Sequence, residues 1–340
     1  MNKEKRKIKV IHFQRKPRLG FNFSIESIFD DLRNRLNDKV GFSISICSYF
    51  NDGYFSKLWN IIEAALRQKK NSINHITGEV NFLDLLMHKK KVLLTIHDCR
   101  YVERKKGLQR KLIKWLYLKA PVKKAKYVTA VSESTKADII RYTSCNPEKI
   151  KVIPVQLNAL FIPVPKIFNK RKPVILQIGA AENKNLYRLM NALKTIQCKL
   201  VIIGSLNEEQ QNHLKKSDID HVIKSGLTDE ALYAEYISCD IVAFVSTYEG
   251  FGMPIIEANS VERAVVTSNI SSMPETAGEA ACQVNPFNAE EIKQGFLKII
   301  NDDIYREQLI ANGRKNKMRF DAETIANAYY KIYQEMAKDI

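Results

Sequence analysis

Residues 241–260, IVAFVSTYEGFGMPIIEANS, hold the residue types and spacing best suited to chemistry in this 340-residue chain. An apolar run that reads as a buried strand ends at Ser246. Glu249-Gly250-Phe251-Gly252 then reads as a turn, and Pro254 as the opening of a helix, where its missing N–H would be unpaired anyway. Two glycines ahead of a helix N-terminus let backbone amides approach a ligand, and the helix dipole favours an anion such as phosphate. Glu249 and Glu257 flank that amide nest. A carboxylate beside a phosphate site does not bind the phosphate itself; it suits hydroxyls, as on a sugar or ribose. Alone, the four residues 249–252 would be a tight turn between solvated glutamates. The strand before them and the helix after them make the stretch a binding-site candidate.

Such a turn needs a parallel sheet behind it. Short apolar runs alternate with helical-period segments almost throughout, the pattern of parallel α/β sheets. In the first half the predicted strands are Ile8–Phe13, Ser43–Phe50, Val92–Ile96, Tyr127–Val131 and Lys151–Val155. In the second half they are Val174–Ile178, Leu200–Ile203, Ile241–Val245 and Ala264–Thr267. Between the two series, Pro163, Pro165 and Pro173 with a basic cluster predict a linker near residues 158–172. The last helix, about 322–337, carries Ile325, Tyr329, Ile332, Tyr333 and Met336 on one face, so it needs a docking surface, which we place on the first domain. Two βαβ domains would face each other across a cleft, with ligands beyond the carboxyl ends of the strands.

Composition narrows the class. The chain is 45% hydrophobic and 27% charged, which fits two globular domains and argues against disorder. It contains no apolar run of membrane-spanning length, and its charged first residues, with no small-residue cleavage site, are not expected to act as a secretory leader. Six cysteines (47, 99, 145, 198, 239 and 282) lie far apart with no C-x-x-C pair, so a reduced, cytoplasmic compartment is expected rather than a disulfide or zinc framework. The charge is uneven. Residues 1–170 carry 35 Lys and Arg against 14 acids, a net of +21, whereas the rest carries 19 against 23, a net of −4. Much of the excess lies in residues 99–127, where eleven cations oppose Glu103 alone and interleave with Leu108, Leu112, Ile113, Trp115, Leu116 and Tyr117. That stretch suits an anionic membrane surface; its apolar residues also suit a core helix with a solvated face. No RNA-binding signature accompanies it, and no nucleic-acid partner is expected.

The stretch from Glu249 to Glu257 matches the E-x7-E motif of retaining glycosyltransferases of family 4, which have the GT-B fold of two Rossmann-like domains. The segments at 127–139, 151–155, 175–193 and 271–288 resemble further blocks of that family. The resemblance implies an α/β, GT-B architecture: an acceptor-binding domain over 1–165, a donor-binding domain over 170–320, and a C-terminal helix over 321–340 crossing back to the first domain. It implies transfer of a sugar from a UDP- or GDP-sugar to a glycan or lipid-linked acceptor in cell-envelope polysaccharide synthesis, with retention of configuration and no metal or other cofactor. By resemblance, Glu249 bonds donor-sugar hydroxyls, Glu257 the ribose, and the amides of Gly250, Phe251 and Gly252 the sugar and diphosphate. Lys184, in the loop after Gly179 and beside Asn185, neutralises the leaving diphosphate. Gly20 reaches the donor phosphate and acceptor, Gly204 and Leu227 lie in the loops near the base, and His97, directly after a strand and followed by Asp98, lies near the transferred sugar.

One departure is visible. Many relatives place an arginine shortly before that lysine, whereas this chain has Gly179-Ala180-Ala181-Glu182-Asn183-Lys184; Arg15, Lys16 or Arg18 are candidate substitutes. This keeps a second reading open, an accessory subunit with the fold but weak turnover. A nicotinamide-dependent oxidoreductase is disfavoured because no G-x-G-x-x-G follows a strand. Asp218-Ile219-Asp220, though it looks like a D-x-D metal motif, sits among polar residues and reads as solvated surface.

Overall fold

The structure is a computed structural model and describes residues 7–17 and 24–340. The chain divides into two compact units, residues 1–156 with 322–340, and residues 157–321. Gly20 and Arg18 lie outside the described residues.

The first unit is a six-stranded parallel sheet of β1 (Ile8–Gln14), β2 (Val40–Ile46), β3 (Ile73–Ile76), β4 (Val92–Ile96), β5 (Tyr127–Ala130) and β6 (Ile150–Val152), in the order β2-β1-β3-β4-β5-β6. One face of the sheet packs Ile11, Phe13, Ile76, Leu94 and Val128 against helical segments that include Tyr54–Arg67 and Glu133–Thr143. Ser132 caps the second of these, its hydroxyl accepting from Thr135 N. β2 differs from the predicted 43–50. It pairs with β1 from Val40 to Ile46, after which the amide of Asn60 donates to Tyr49 O at 2.9 Å and the chain turns. β3 adds a strand to those predicted, and its polar, buried centre Asn74-His75 is why no apolar run marks it.

The other face receives the C-terminal helix, Ala322–Ala337, which buries Ile325, Ala326, Tyr329, Ile332, Tyr333 and Met336. A polar chain runs through this contact. Arg33 donates to His12 Nδ1 at 2.9 Å, so His12 Nε2 carries the proton and donates to the Tyr333 hydroxyl at 3.1 Å. Tyr333 in turn donates to His75 Nδ1 at 2.7 Å, and His75 Nε2 donates to Thr95 Oγ1 at 2.8 Å. Burial holds both imidazoles neutral, pushing His75 down to about 3 and His12 well below its usual range.

The second unit repeats the plan with β7 (Val174–Ile178), β8 (Lys199–Ile203), β9 (Asp220–Lys224), β10 (Ile241–Phe244), β11 (Ala264–Ser268) and β12 (Cys282–Val284), in the order β12-β11-β10-β7-β8-β9. All pairs are parallel. The order reverses between β10 and β7, the position where ligands bind in open α/β sheets. The proline-rich stretch packs on this unit: Asp240 pairs with Lys166 and accepts from Asn169 N and Val174 N, while Phe161 stacks edge-on against Tyr236. Each unit is thus a Rossmann-like α/β domain.

Candidate active site

At the switch point of the second unit, the loop after β7 meets the loop after β10. Gly179 opens the first loop at φ +85°, and a Cβ there would stand 3.0–3.4 Å from the Lys184 side chain. Glycine therefore leaves the lane in which the lysine stem lies. Lys184 Nζ reaches Glu249 Oε1 at 2.7 Å and sits 4.9 Å from the centre of the Phe244 ring. The amide of Asn183 donates to the same carboxylate oxygen at 3.0 Å and to Tyr248 O at 2.9 Å, while Thr247 N donates to Asn183 O at 2.8 Å. The two loops are thereby tied together, with one cation and one carboxylate placed between them.

The turn that presents Glu249 is held from behind by hydroxyls. Ser271 Oγ accepts from Glu249 N at 3.2 Å and donates to Glu249 O at 2.7 Å. Ser272 Oγ donates to Phe251 O at 2.6 Å, which also accepts from Thr276 Oγ1 at 2.9 Å. Phe251 itself is core, its ring 5.4 Å from that of Phe320, so only its backbone is available to a ligand. Gly250 is half-buried, and Gly252, at φ +133°, precedes the helix Met253–Ser260. That helix begins one residue before Pro254, which occupies its second position rather than its first.

Glu257 lies one turn into the helix, buried, with the Tyr236 hydroxyl donating to Oε2 at 2.5 Å. Burial pushes its carboxyl up to about 7; the Tyr236 hydrogen bond and the Lys184 charge oppose the shift, and Asp229 adds to it. Asn185 is committed to the scaffold. Its amide donates to Val245 O at 2.9 Å and Pro286 O at 2.6 Å, and its Oδ1 accepts from Arg188 at 3.0 Å, so it shapes the loop. Gly204 N donates to Lys224 O at 2.7 Å, and a Cβ at Gly204 would lie 3.2 Å from Ala180 N, which brings the loop after β8 against the loop after β7. Leu227 is half-buried in the loop after β9, ahead of the Thr228 cap of the next helix. The ends of β10, β7, β8 and β9 thus carry Glu249, Lys184, Gly204 and Leu227 in a row. Asp218 and Asp220 lie at the opposite, amino end of β9, where Asp220 pairs with Lys172 at 2.6 Å.

His97 belongs to the first unit, at the carboxyl end of β4. Its Nε2 donates to Thr77 O at 2.7 Å, and burial lowers its pKa, with the Thr77 carbonyl working against the shift. The ring lies where a Cβ on Gly78 would be only 2.5 Å from its Cδ2, and Gly78 has φ +139°. Arg15, at the end of β1, pairs with Glu26 at 2.7 Å and with Glu79, while Lys16 donates to Ser48 O at 3.0 Å. Both of these candidates for the missing cation are thus engaged within the first unit. Sequence reading missed Asn183, Tyr236, Gly78, Glu79 and the hydroxyls of Ser271, Ser272 and Thr276. The last three lie in a stretch already notable for its family resemblance, but nothing in their spacing announces that they grip another loop.

Residues 161–316 match the family described as Glycosyl transferases group 1, and residues 33–155 match Glycosyltransferase Family 4. The chain belongs to the group 1, family 4 glycosyltransferases. Among curated relatives of this family member, the serotype-specific mannosyltransferase WbdA of Escherichia coli is 24% identical over 59% of the chain and 28% of its own length. The O-antigen chain mannosyltransferase B of Escherichia coli is 25% identical over 62% of the chain and 61% of its own length. The chain therefore spans less than two thirds of each of these relatives. Among solved structures, sucrose-phosphate synthase from Thermosynechococcus elongatus aligns with a TM-score of 0.79 at 16% identity, covering 97% of this chain and 100% of that one. Anabaena Alr3699/HepE in complex with UDP-glucose aligns at 0.76 with 15% identity, covering 96% and 100%. At these identities the structural likeness concerns the fold, and it is the GT-B fold of this glycosyltransferase family.

Proposed function

We propose that the protein is a retaining glycosyltransferase that moves a sugar from a nucleotide-diphosphate donor to a glycan or lipid-linked acceptor in cell-envelope polysaccharide synthesis. The observation that carries this reading is the Lys184–Glu249 pair at the switch point of the second sheet, beside the amino end of Met253–Ser260. A diphosphate on that helix end and on Lys184 would release Glu249 to accept from sugar hydroxyls. Buried Glu257 would take ribose hydroxyls, and the base would extend toward Gly204 and Leu227. The relatives named above are a serotype-specific mannosyltransferase and an O-antigen chain mannosyltransferase, and a neighbour binds UDP-glucose; these support the substrate class and leave UDP and GDP both as donors to be tested.

In this mechanism the bond from the anomeric carbon to the leaving phosphate breaks as the acceptor oxygen arrives on the same face, and the departing phosphate takes the acceptor proton. Negative charge grows on the diphosphate, so Lys184 and the helix amides, fixed before the reaction, lower the barrier. No metal is required in this reading. The cytoplasmic setting and contact of residues 99–127 with anionic lipid belong to the same proposal.

The test is donor hydrolysis by the purified chain across UDP- and GDP-sugars in EDTA. Turnover should persist without divalent metal, release the donor's own anomer first by NMR, and fall roughly 100- to 1,000-fold in Lys184→Ala or Glu249→Ala. The lack of an arginine between Gly179 and Lys184 favours one rival, a subunit with the fold but without turnover. Donor binding with no hydrolysis or transfer would establish that rival, and equal turnover in both variants would overturn the site.

A further inference from the structure

Helices that cover a parallel sheet turn an apolar stripe inward and a polar face to water. The helix Tyr54–Arg67 obeys the first half of that rule, burying Asn60, Ile61 and Ala64. It breaks the second. Tyr54, Phe55, Leu58, Trp59, Ile62 and Leu66 all face outward, with Phe55 89%, Leu66 81% and Trp59 55% exposed. At about 100° per residue these six fall within roughly 140° of arc, a single outer stripe. The loop before the helix adds the exposed rings of Tyr49 and Phe50. Scattered surface leucines are ordinary, whereas a contiguous aromatic-rich stripe marks a docking face.

Its surroundings identify the occupant. The stripe helix packs on the turn Asn81–Leu86, whose Leu86 is also exposed. That turn packs in its own right on Trp115–Lys119: Asn81 Nδ2 donates to Tyr117 O at 2.9 Å, and the Phe82 and Tyr117 rings lie 5.0 Å apart. Directly before it, the helix Gly107–Lys114 leaves Leu108 and Leu112 exposed, followed by Trp115 at 52%, among exposed Lys105, Lys106, Arg110 and Lys111. The residues between 54 and 127 include 18 Lys or Arg and 5 acids. A second copy would meet this face with the same positive charge, since a two-fold interface joins like to like. An anionic bilayer offers the complement: acidic headgroups for the cations, and an apolar boundary in which tryptophan and tyrosine are enriched.

We propose that the Tyr54–Leu66 stripe and the Leu108–Leu112–Trp115 face form one surface that inserts shallowly into an anionic lipid bilayer. It deepens the lipid contact in the function proposed above and rests on that reading only for its purpose, since its evidence lies wholly in the first unit.

The chain's two tryptophans supply the test, because Trp59 and Trp115 lie one in each element. Trp115→Phe and Trp59→Phe each leave a single reporter in the full chain. With phosphatidylglycerol–phosphatidylcholine vesicles, both reporters should shift to the blue and be quenched by brominated acyl chains; phosphatidylcholine alone should do little, and high salt should weaken binding. Phe55→Ser with Leu66→Ser should weaken vesicle binding roughly tenfold or more while the thermal shift given by nucleotide sugars stays unchanged. An unmoved, unquenched Trp59 beside a responding Trp115 would overturn the proposal. So would a dimer in sedimentation that the Phe55→Ser, Leu66→Ser variant abolishes. Donor binding without vesicle binding refutes this surface and leaves the transferase reading intact, and vesicle binding without donor binding does the reverse.

Discussion

Glu257 is the residue at which stability and function pull apart. Its carboxyl titrates near 7 in the fold, against an ordinary value of 4.5, because burial disfavours its charge. Between those values the folded chain keeps a proton that the unfolded chain has lost, so the residue's contribution to stability is full below 4.5 and gone once the pH passes 7. Glu257→Gln is expected to raise the melting temperature at pH 8, by about 2–4 °C per kcal/mol relieved, with the gain shrinking toward pH 5. Ribose hydroxyls donate to a carboxylate and favour its charged form. The same variant should therefore bind a nucleotide sugar roughly 10- to 100-fold more weakly at pH 8. Wild-type binding should release a proton near pH 7, readable by calorimetry in buffers of different ionisation enthalpy. The motif made Glu257 visible in the sequence. Tyr236, which donates to it, was not, because nothing about a tyrosine on a neighbouring helix reports what its hydroxyl touches.

Among the elements, the clamp behind the Glu249 turn does the positioning. Ser271 and Ser272 reach the backbone of residues 249–251 from the loop after β11 and the helix start beyond it. Ser271→Ala with Ser272→Ala should lower donor hydrolysis roughly tenfold, each lost hydrogen bond being worth about 1 kcal/mol, while circular dichroism keeps its native shape. A rate equal to wild type would show that the turn holds itself. The C-terminal helix has its own test. Tyr333→Phe leaves His12 and His75 without their shared partner and should cost about 1–3 kcal/mol in urea unfolding. Because His75 stays neutral down to about 3, while an unfolded histidine protonates near 6.5, its contribution is present above 6.5 and lost as the pH falls toward 3. Stability of the wild type should decline over that window.

Strands made mostly of apolar residues, such as β4, β7 and β10, were legible, as was the stripe of the last helix. β3, β9 and β12 were not. β3 hides Asn74 and His75 in its interior and satisfies His75 with a tyrosine 258 residues away; β9 is an edge strand with charged ends, and β12 is only three residues long. With β3 went the loop that follows it, and so Gly78 and Glu79.

For the whole molecule, the division of charge matches a division of labour. The first unit holds the basic excess and the exposed aromatic stripe, and the second, near neutral, holds the paired lysine and glutamates at its sheet's switch point. The lysine and glutamates of the second unit came through the sequence by their motif, and the basic stretch by its composition. The Tyr54–Leu66 stripe did not, because an apolar period in a sequence does not say which face meets water. Isothermal titration of the intact chain with UDP- and GDP-sugars, in EDTA and beside Lys184→Ala, tests the central claim most directly. The expected result is saturable one-to-one binding of one nucleotide class, weakened at least tenfold by the substitution. Binding of equal strength in Lys184→Ala, or no binding of any nucleotide sugar by a folded chain, would contradict it.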